Sequence, residues 1–335
     1  MSAIDSPVDL APFGLALGHA TDADGATGLT VVRGIDASFR AAAAIVGRAT
    51  GTRELHAASP AHLVDRVDAI LLTGGSAYGL DAAAGVMRWM EERGRGFPVG
   101  AGVVPIVPAA VLFDLGPLGR FDARPTPAMA YDACDRAAPL VTEQGSVGAG
   151  TGATVGKALG AARAMKGGVG CVVVEGGGMR ATGVAAVNAF GDVRDADGRI
   201  VAGARGENGF ADTAAMLAAG VGGASRFGAA SAASPDALQH TTLCLVAVDA
   251  PLGRQALAQL ARAATAALYR RITPCGTTFD GDTVFAVSPL GTPIDDPALA
   301  LRAESLAVRA LEAAIERAVR EAVGRDGIPG LADGS

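Results

Sequence analysis

Leu243–Val248 reads LCLVAV, six apolar residues with no polar position among them. A strand written this way has no face to give to water, so other layers must cover both of its sides. Gly170–Glu175 (GCVVVE) and Thr182–Ala189 (TGVAAVNA) make the same demand. The cover comes from helices with one apolar stripe. Residues 254–270 carry Leu257, Leu260, Ala264 and Leu268 at helical spacing, and residues 304–323 carry Val308, Leu311, Ile315 and Val319 before Gly324. Strands that need cover, mixed in order with helices that supply it, predict an α/β layered sandwich rather than a bundle or a barrel.

The remaining elements fit that plan. FGLALGHATDADGATGLTVVRG reads as two strands around a Gly/Asp turn, and Asp68–Gly75 (DAILLTGG) as a buried strand. A helix is predicted over about 80–93, with Leu80, Ala84, Met87 and Met90 on its buried face and Trp89 at the edge of that face. Pro105 and Pro108 predict an edge strand or extended loop over 103–112. Residues 203–239 are mostly Ala, Gly and Ser and predict a mobile, exposed connector.

Composition removes several function classes. The 335 residues carry a formal net charge of −6 and no basic run, which argues against a nucleic-acid footprint. Mean hydropathy is +0.34, raised by Ala and Gly, yet no stretch approaches the ~20 unbroken apolar residues of a membrane span. The first residues lack the basic start and apolar core of a signal peptide. Cys134, Cys171, Cys244 and Cys275 show no CxxC spacing and predict reduced thiols in a cytoplasmic protein. His19, His56, His62 and His240 lack paired ligand spacing, so no metal is expected.

The polar inventory is narrow. Lys157 and Lys166 are the only lysines, and Asn188 and Asn208 the only asparagines. Any site that needs a neutralisable amine has those two lysines to draw on. Lys157 lies in GSVGAGTGATVGKALG (145–160), which fails the Walker A pattern at Thr151 and Ala158 and the dinucleotide pattern at Ala153. A plain glycine turn competes there with a loop that brings Lys157 to a reacting group, and Lys166 is the comparator expected to tolerate replacement. Taken singly, Thr241 and Thr242 are ordinary strand-starting residues and Asp280-Gly281-Asp282 an ordinary turn. Two carboxylates so close can also raise one another's pKa toward neutrality.

TGGSAYGLDAAAGV (73–86), VGAGTGATVGK (147–157), VAAVNAFGDV (184–193), TTLCLVAVDAPL (241–252) and FDGDTVFAV (279–287) together resemble the self-processing L-aminopeptidase/D-esterase (DmpA-like) family. That family includes β-peptidyl aminopeptidases and nylon-oligomer hydrolases, and the motifs keep family order over about 10–325. The resemblance implies one αββα domain of the N-terminal-nucleophile type, cut into an α-chain (1–240) and a β-chain (241–335) that stay associated. It also implies a homo-oligomer, with a tetramer as the expected state, and a peptide or amide-oligomer substrate.

By position in the motifs, Thr241 matches the nucleophile and the bond after His240 the autocleavage site. Asn188 matches the oxyanion-binding asparagine and Tyr78 the tyrosine beside it, while Lys157, Asp280 and Asp282 match the charged groups around the nucleophile. Two positions depart from the pattern. His240 stands where the nylon hydrolases carry Asn, and Ser76 stands where the β-aminopeptidase branch carries a Glu for the substrate ammonium. The expected chemistry needs no organic cofactor. Two other readings remain: an inactive small-molecule-binding relative of the same fold, and a cofactor-dependent α/β enzyme, which the failed phosphate motifs disfavour.

Overall fold

The structure is a computed structural model that describes residues 7–220 and 240–334. Among those residues two five-stranded sheets lie face to face, each with helices on its outer side. The first sheet is built from β1 (Leu15–Asp22), β2 (Thr27–Gly34), β4 (Gly51–Arg53), β5 (Ala69–Thr73) and β6 (Ala109–Val111), in the order β1-β2-β5-β6-β4. The second is built from β3 (Phe39–Ile45), β7 (Gly168–Gly176), β8 (Met179–Asn188), β9 (Thr241–Val248) and β10 (Thr283–Pro289), in the order β7-β8-β9-β10-β3. Helices α1 (Ala83–Glu91) and α2 (Pro127–Arg136) cover the first sheet, and α3 (Arg254–Arg271) and α4 (Pro297–Arg320) the second. This is the four-layer αββα sandwich that the motifs imply.

The unbroken apolar strand explains itself in this frame. Leu243, Leu245 and Ala247 of β9 point into the layer between the sheets, against Leu15, Leu17, Val32, Ile70 and Leu72. Cys244, Val246 and Val248 point the other way, onto Leu257, Leu260, Leu311 and Ile315 of the helices. Every side chain of β9 is buried. Truncating Leu243 or Leu245 to Ala costs about 2–5 kcal/mol at such sites.

The helix termini follow their sequences. Thr126 accepts the Met129 amide at the start of α2, and Asp296 accepts the Ala298 amide at the start of α4, each with proline next in line. The stripes predicted for α3 and α4 are buried as written, and α4 begins earlier than its sequence stripe, at Pro297.

Three local expectations are corrected. Residues Ser76–Ala82 form a 3₁₀ turn before α1, and the buried face of α1 is Ala83, Val86, Trp89 and Met90, with Ala84 exposed. The helix is turned by its neighbour, because a Cβ on Gly85 would come within 1.8 Å of the Pro127 carbonyl oxygen of α2. β6 is internal, paired parallel to β5 and antiparallel to β4, since Pro105 and Pro108 both precede its ladder. The first part of the expected connector is anchored at Ala204 and Thr213, although much of it stays exposed. Asp192, buried, accepts the Ala204 amide (2.8 Å), the Thr213 amide (2.6 Å) and the Thr213 hydroxyl (2.9 Å), and so anchors the short helix Thr213–Ala218. Residues 221–239 of that connector lie outside the described residues.

Candidate active site

Thr241 is the first residue of β9 and pairs across the ladder with Asn188, the last residue of β8. Strand direction alone therefore sets the two side by side at one end of the second sheet. The Thr241 hydroxyl is buried and donates to the carbonyl oxygen of His240 at 2.6 Å. The Gly281 amide donates to the same oxygen at 3.0 Å, so the carbonyl that precedes Thr241 is held by two donors. Gly281 is required by contact: a Cβ there would stand 2.6 Å from the Thr241 Oγ. The His240 ring is buried against Phe190, with centroids 4.7 Å apart, which accommodates histidine at this position.

Asn188 is wired on both sides of its amide. Its Oδ1 accepts from Lys157 Nζ at 2.7 Å and from the Thr154 amide at 3.0 Å, and its Nδ2 donates to the Phe113 carbonyl at 2.9 Å. Lys157 Nζ also donates to the Asn188 carbonyl at 3.2 Å. Burial pulls the Lys157 pKa down to about 7, partly offset by the negative charges of Asp280 and Asp114. The glycine segment is thus a fitted loop rather than a loose turn. Gly156 has φ +68° and lies against the backbone of Gly203, where no side chain fits. Its amides are spent internally: Gly148 donates to Thr21 Oγ1, Ala149 to Thr30 Oγ1 and Gly150 to the Val147 carbonyl.

Asp280 and Asp282 flank Thr241 from the turn that enters β10. Asp282 accepts the Thr242 amide (2.6 Å), the Gly276 amide (3.1 Å) and the Cys275 thiol (3.3 Å). Burial first, and then the neighbouring Asp280, push its pKa up to about 7. Asp280 accepts the Thr277 amide at 2.7 Å, and burial raises it too, against the pull of Lys157. Lys157 and Asp282 can therefore each change charge near neutral pH. Among the described residues no group of three or more His, Cys, Asp or Glu side chains is placed to hold a metal ion.

Five of the predicted residues, Thr241, Asn188, Lys157, Asp280 and Asp282, thus form one buried cluster beside His240. Tyr78 stands differently. It is 54% exposed on the 3₁₀ turn, with the Arg124 guanidinium 3.5 Å above its ring. The turn joins the cluster through three consecutive residues after β6. The Leu112 carbonyl accepts the Ser76 amide, the Phe113 carbonyl accepts Asn188 Nδ2, and Asp114 accepts the Gly75 amide (2.6 Å) and the Thr27 hydroxyl (2.7 Å). Burial raises the Asp114 pKa to about 6. Sequence reading misses this clamp, although a lone carboxylate inside the apolar run AAVLFDLG was a visible anomaly. It also misses the Gly281 amide and Cys275. Lys166 proves a poor comparator, because it is fully buried and donates to three backbone carbonyls.

Known proteins resemble this chain in sequence and fold. The model of peptidase family S58 matches residues 11–326. An uncharacterized aminopeptidase of Mycobacterium tuberculosis is 43% identical over 248 residues, covering 72% of this chain and 67% of the relative. A 6-aminohexanoate-oligomer endohydrolase of Kocuria sp. is 31% identical over 285 residues, covering 82% and 73%. Among solved structures, the L-aminopeptidase D-Ala-esterase/amidase of Ochrobactrum anthropi, described as a variant of the Ntn-hydrolase fold, superposes with a TM-score of 0.69. It is 19% identical and covers 97% of this chain and 88% of that one. A Burkholderia sp. β-aminopeptidase gives a TM-score of 0.69 at 18% identity, covering 98% and 92%. The chain belongs to peptidase family S58 and is a hydrolase of amide bonds.

Proposed function

We propose that the chain activates itself by cutting between His240 and Thr241, and that the freed Thr241 then hydrolyses amides through an acyl-enzyme. The observation that carries this reading is the His240 carbonyl, which receives the Thr241 hydroxyl and the Gly281 amide inside a cluster of groups poised near neutrality. A threonine hydroxyl is a weak nucleophile and needs a base. In the continuous chain, neutral Lys157 takes the hydroxyl proton while Oγ adds to the His240 carbonyl carbon. The Gly281 amide stabilises the oxygen charge that develops. The C–N bond then breaks, the nitrogen takes up the proton, and water hydrolyses the ester to leave 1–240 and 241–335.

Maturation gives Thr241 an α-amine, whose unperturbed pKa of about 7.7–8.0 suits general-base work. Lys157 lowers that pKa by like-charge repulsion, Asp280 and Asp282 hold the amine and hydroxyl, and Asn188 with Tyr78 donates to the substrate oxyanion. Donors of this kind are worth about 10²–10³ in rate each. The two-chain units associate as a homo-oligomer, for which a tetramer is the working state. The proteins named above suggest the substrate classes to try first: peptides with a free amino terminus and linear amide oligomers.

The test is direct. Purified wild-type protein should run as two chains, and the smaller should sequence as TTLCLVAV. Thr241→Ala should remain one chain and be inactive. A fragment that begins at Thr242, or full activity of an uncut chain, would sink the reading.

A further inference from the structure

Arg124 stands out among the charged side chains around the Tyr78 turn. Its guanidinium lies flat over the Tyr78 ring at 3.5 Å and 5.5 Å from the Phe121 ring centre. Tyr78 and Phe121 are 54% and 61% exposed, so the stack forms an open shelf. Among the described residues no carboxylate lies within salt-bridge distance of Arg124, and Asp122 of the same loop pairs instead with Arg120 at 3.3 Å. The Arg124 side chain makes one protein hydrogen bond, from Nη2 to the Phe121 carbonyl at 3.5 Å, and its Nε, though buried, has no acceptor.

Stacking uses the face of a guanidinium; with Nε buried and Nη2 turned to the Phe121 carbonyl, the N–H groups of Nη1 and the second N–H of Nη2 are the in-plane donors left to grip a carboxylate. The shelf is tied to the nucleophile by a short chain of contacts. Gly75 lies under Pro125, next to Arg124, with room for no side chain. Ser76 is bonded to Leu112, Phe113 to Asn188, and Asn188 pairs with Thr241. Ser76, at the place of the expected ammonium-binding carboxylate, is neutral.

We propose that Arg124, stacked on Tyr78, is a specificity subsite for a carboxylate on the amide substrate, so that this hydrolase selects substrates that carry an acid group. This rests on the reading of Thr241 and its neighbours as the reacting centre. Tyr78 then serves two ends, as oxyanion neighbour and as the platform that holds the guanidinium.

The test compares an acid with its ester in two ways. In wild type, kcat/KM for an N-acyl β-alanine anilide series should favour the member with a free carboxylate on its acyl chain over the methyl ester by roughly ten-fold or more. The difference should lie in KM. In Arg124→Gln that acid-to-ester ratio should fall to about one, and Arg124→Lys should keep part of it, since charge survives but the planar fork does not. Calorimetric binding of N-succinyl-β-alanine anilide and its methyl ester to the uncut Thr241→Ala chain reads the same acid-to-ester ratio without turnover. A ratio near one in wild type, or the same ratio in wild type and Arg124→Gln, overturns the subsite. Loss of processing in wild type would instead defeat the reading of Thr241, and the binding arm would still decide the role of Arg124.

Discussion

The two lysines of this chain are both pulled down to about 7 by desolvation, yet they sit in opposite kinds of surroundings. Lys166 donates to the carbonyls of Gly150 (2.8 Å), Ala153 (3.0 Å) and Gly167 (3.0 Å). A neutral amine has two N–H groups and cannot serve three acceptors, so these carbonyls demand the ammonium and hold it. Lys157 instead faces the Asn188 amide and the charge of Asp280, beside the residue paired with Thr241. One lysine is a strut that fixes the glycine loop, and the other, in the proposed mechanism, is the proton carrier that the loop delivers. Burial differs only in degree, Lys166 being wholly buried and Lys157 half-buried. The acceptors distinguish them.

Replacing each lysine gives the largest expected contrast. Lys157→Ala should stay folded and lose processing by about 10²–10⁴-fold, the span of general acid–base catalysis. Lys166→Met orphans three buried carbonyls and should cost about 3 kcal/mol or more of stability. Melting temperature and intact mass, measured on both variants, separate the outcomes. If both lower the melting temperature and neither slows processing of the folded fraction, Lys157 is a second strut.

Next comes the contact that seats the hydroxyl. Gly281→Ala places a methyl 2.6 Å from Thr241 Oγ in a backbone conformation that alanine accepts. The same methyl would stand 2.8 Å from the Ala49 carbonyl oxygen, so some loss of stability is expected too; displacing a nucleophile by about 1 Å can cost 10²-fold, and processing of the folded fraction should slow by about that factor. Unaltered processing kinetics would show that Oγ does not need this seat.

A smaller effect sharpens the role of Lys157 through pH. With a pKa of about 7 it is protonated below neutrality and free to accept a proton above it, so processing should rise as pH climbs through about 7. Asp280 lies close enough to hold that pKa up. Asp280→Asn removes the negative charge, lowers the Lys157 pKa and also lowers that of Asp282, which Asp280 raises by repulsion. Both changes move the midpoint of the pH profile to lower pH. A midpoint that stays put or moves up would separate Asp280 from the proton carrier.

The layers of the molecule were legible because they are written locally. LCLVAV alternates between two buried faces, and the stripes at Leu257–Leu268 and Val308–Val319 name the helices that cover one of them. The face of α1 was not legible, since the close approach of Gly85 to Pro127 that turns it is a tertiary contact. The anchoring of 203–220 was hidden for a similar reason: one carboxylate, Asp192, holds Ala204 and Thr213 from outside that stretch. At the site, Thr241, Asn188, Lys157, Asp280 and Asp282 were visible through motif order. The clamp at Leu112–Asp114 acts mainly through backbone carbonyls, which leave no mark on residue type.

The smallest expected effect concerns the amino end of the substrate. Recognition of a free amine needs a buried carboxylate, because an unpaired ammonium carries a desolvation cost of several kcal/mol. Ser76 offers none; it is half-buried with φ +52°, and its amide is spent on the Leu112 carbonyl. Asp81 is exposed at the far end of the same turn, and the buried Asp114 has its two oxygens engaged by Gly75 and Thr27. The charged group that the turn does present is Arg124, which repels an ammonium. Substrates with free and N-acetylated amino termini should therefore differ little in kcat/KM, by less than about ten-fold. A preference of about a hundred-fold for the free amine, or about 2.7 kcal/mol, would mean that a carboxylate reaches the substrate after all. Ser76→Glu should then move wild-type selectivity toward the free amine by a modest factor. The left-handed backbone at this position strains any residue with a side chain, so the useful measure is the change in ratio between the two substrates and not the absolute rate.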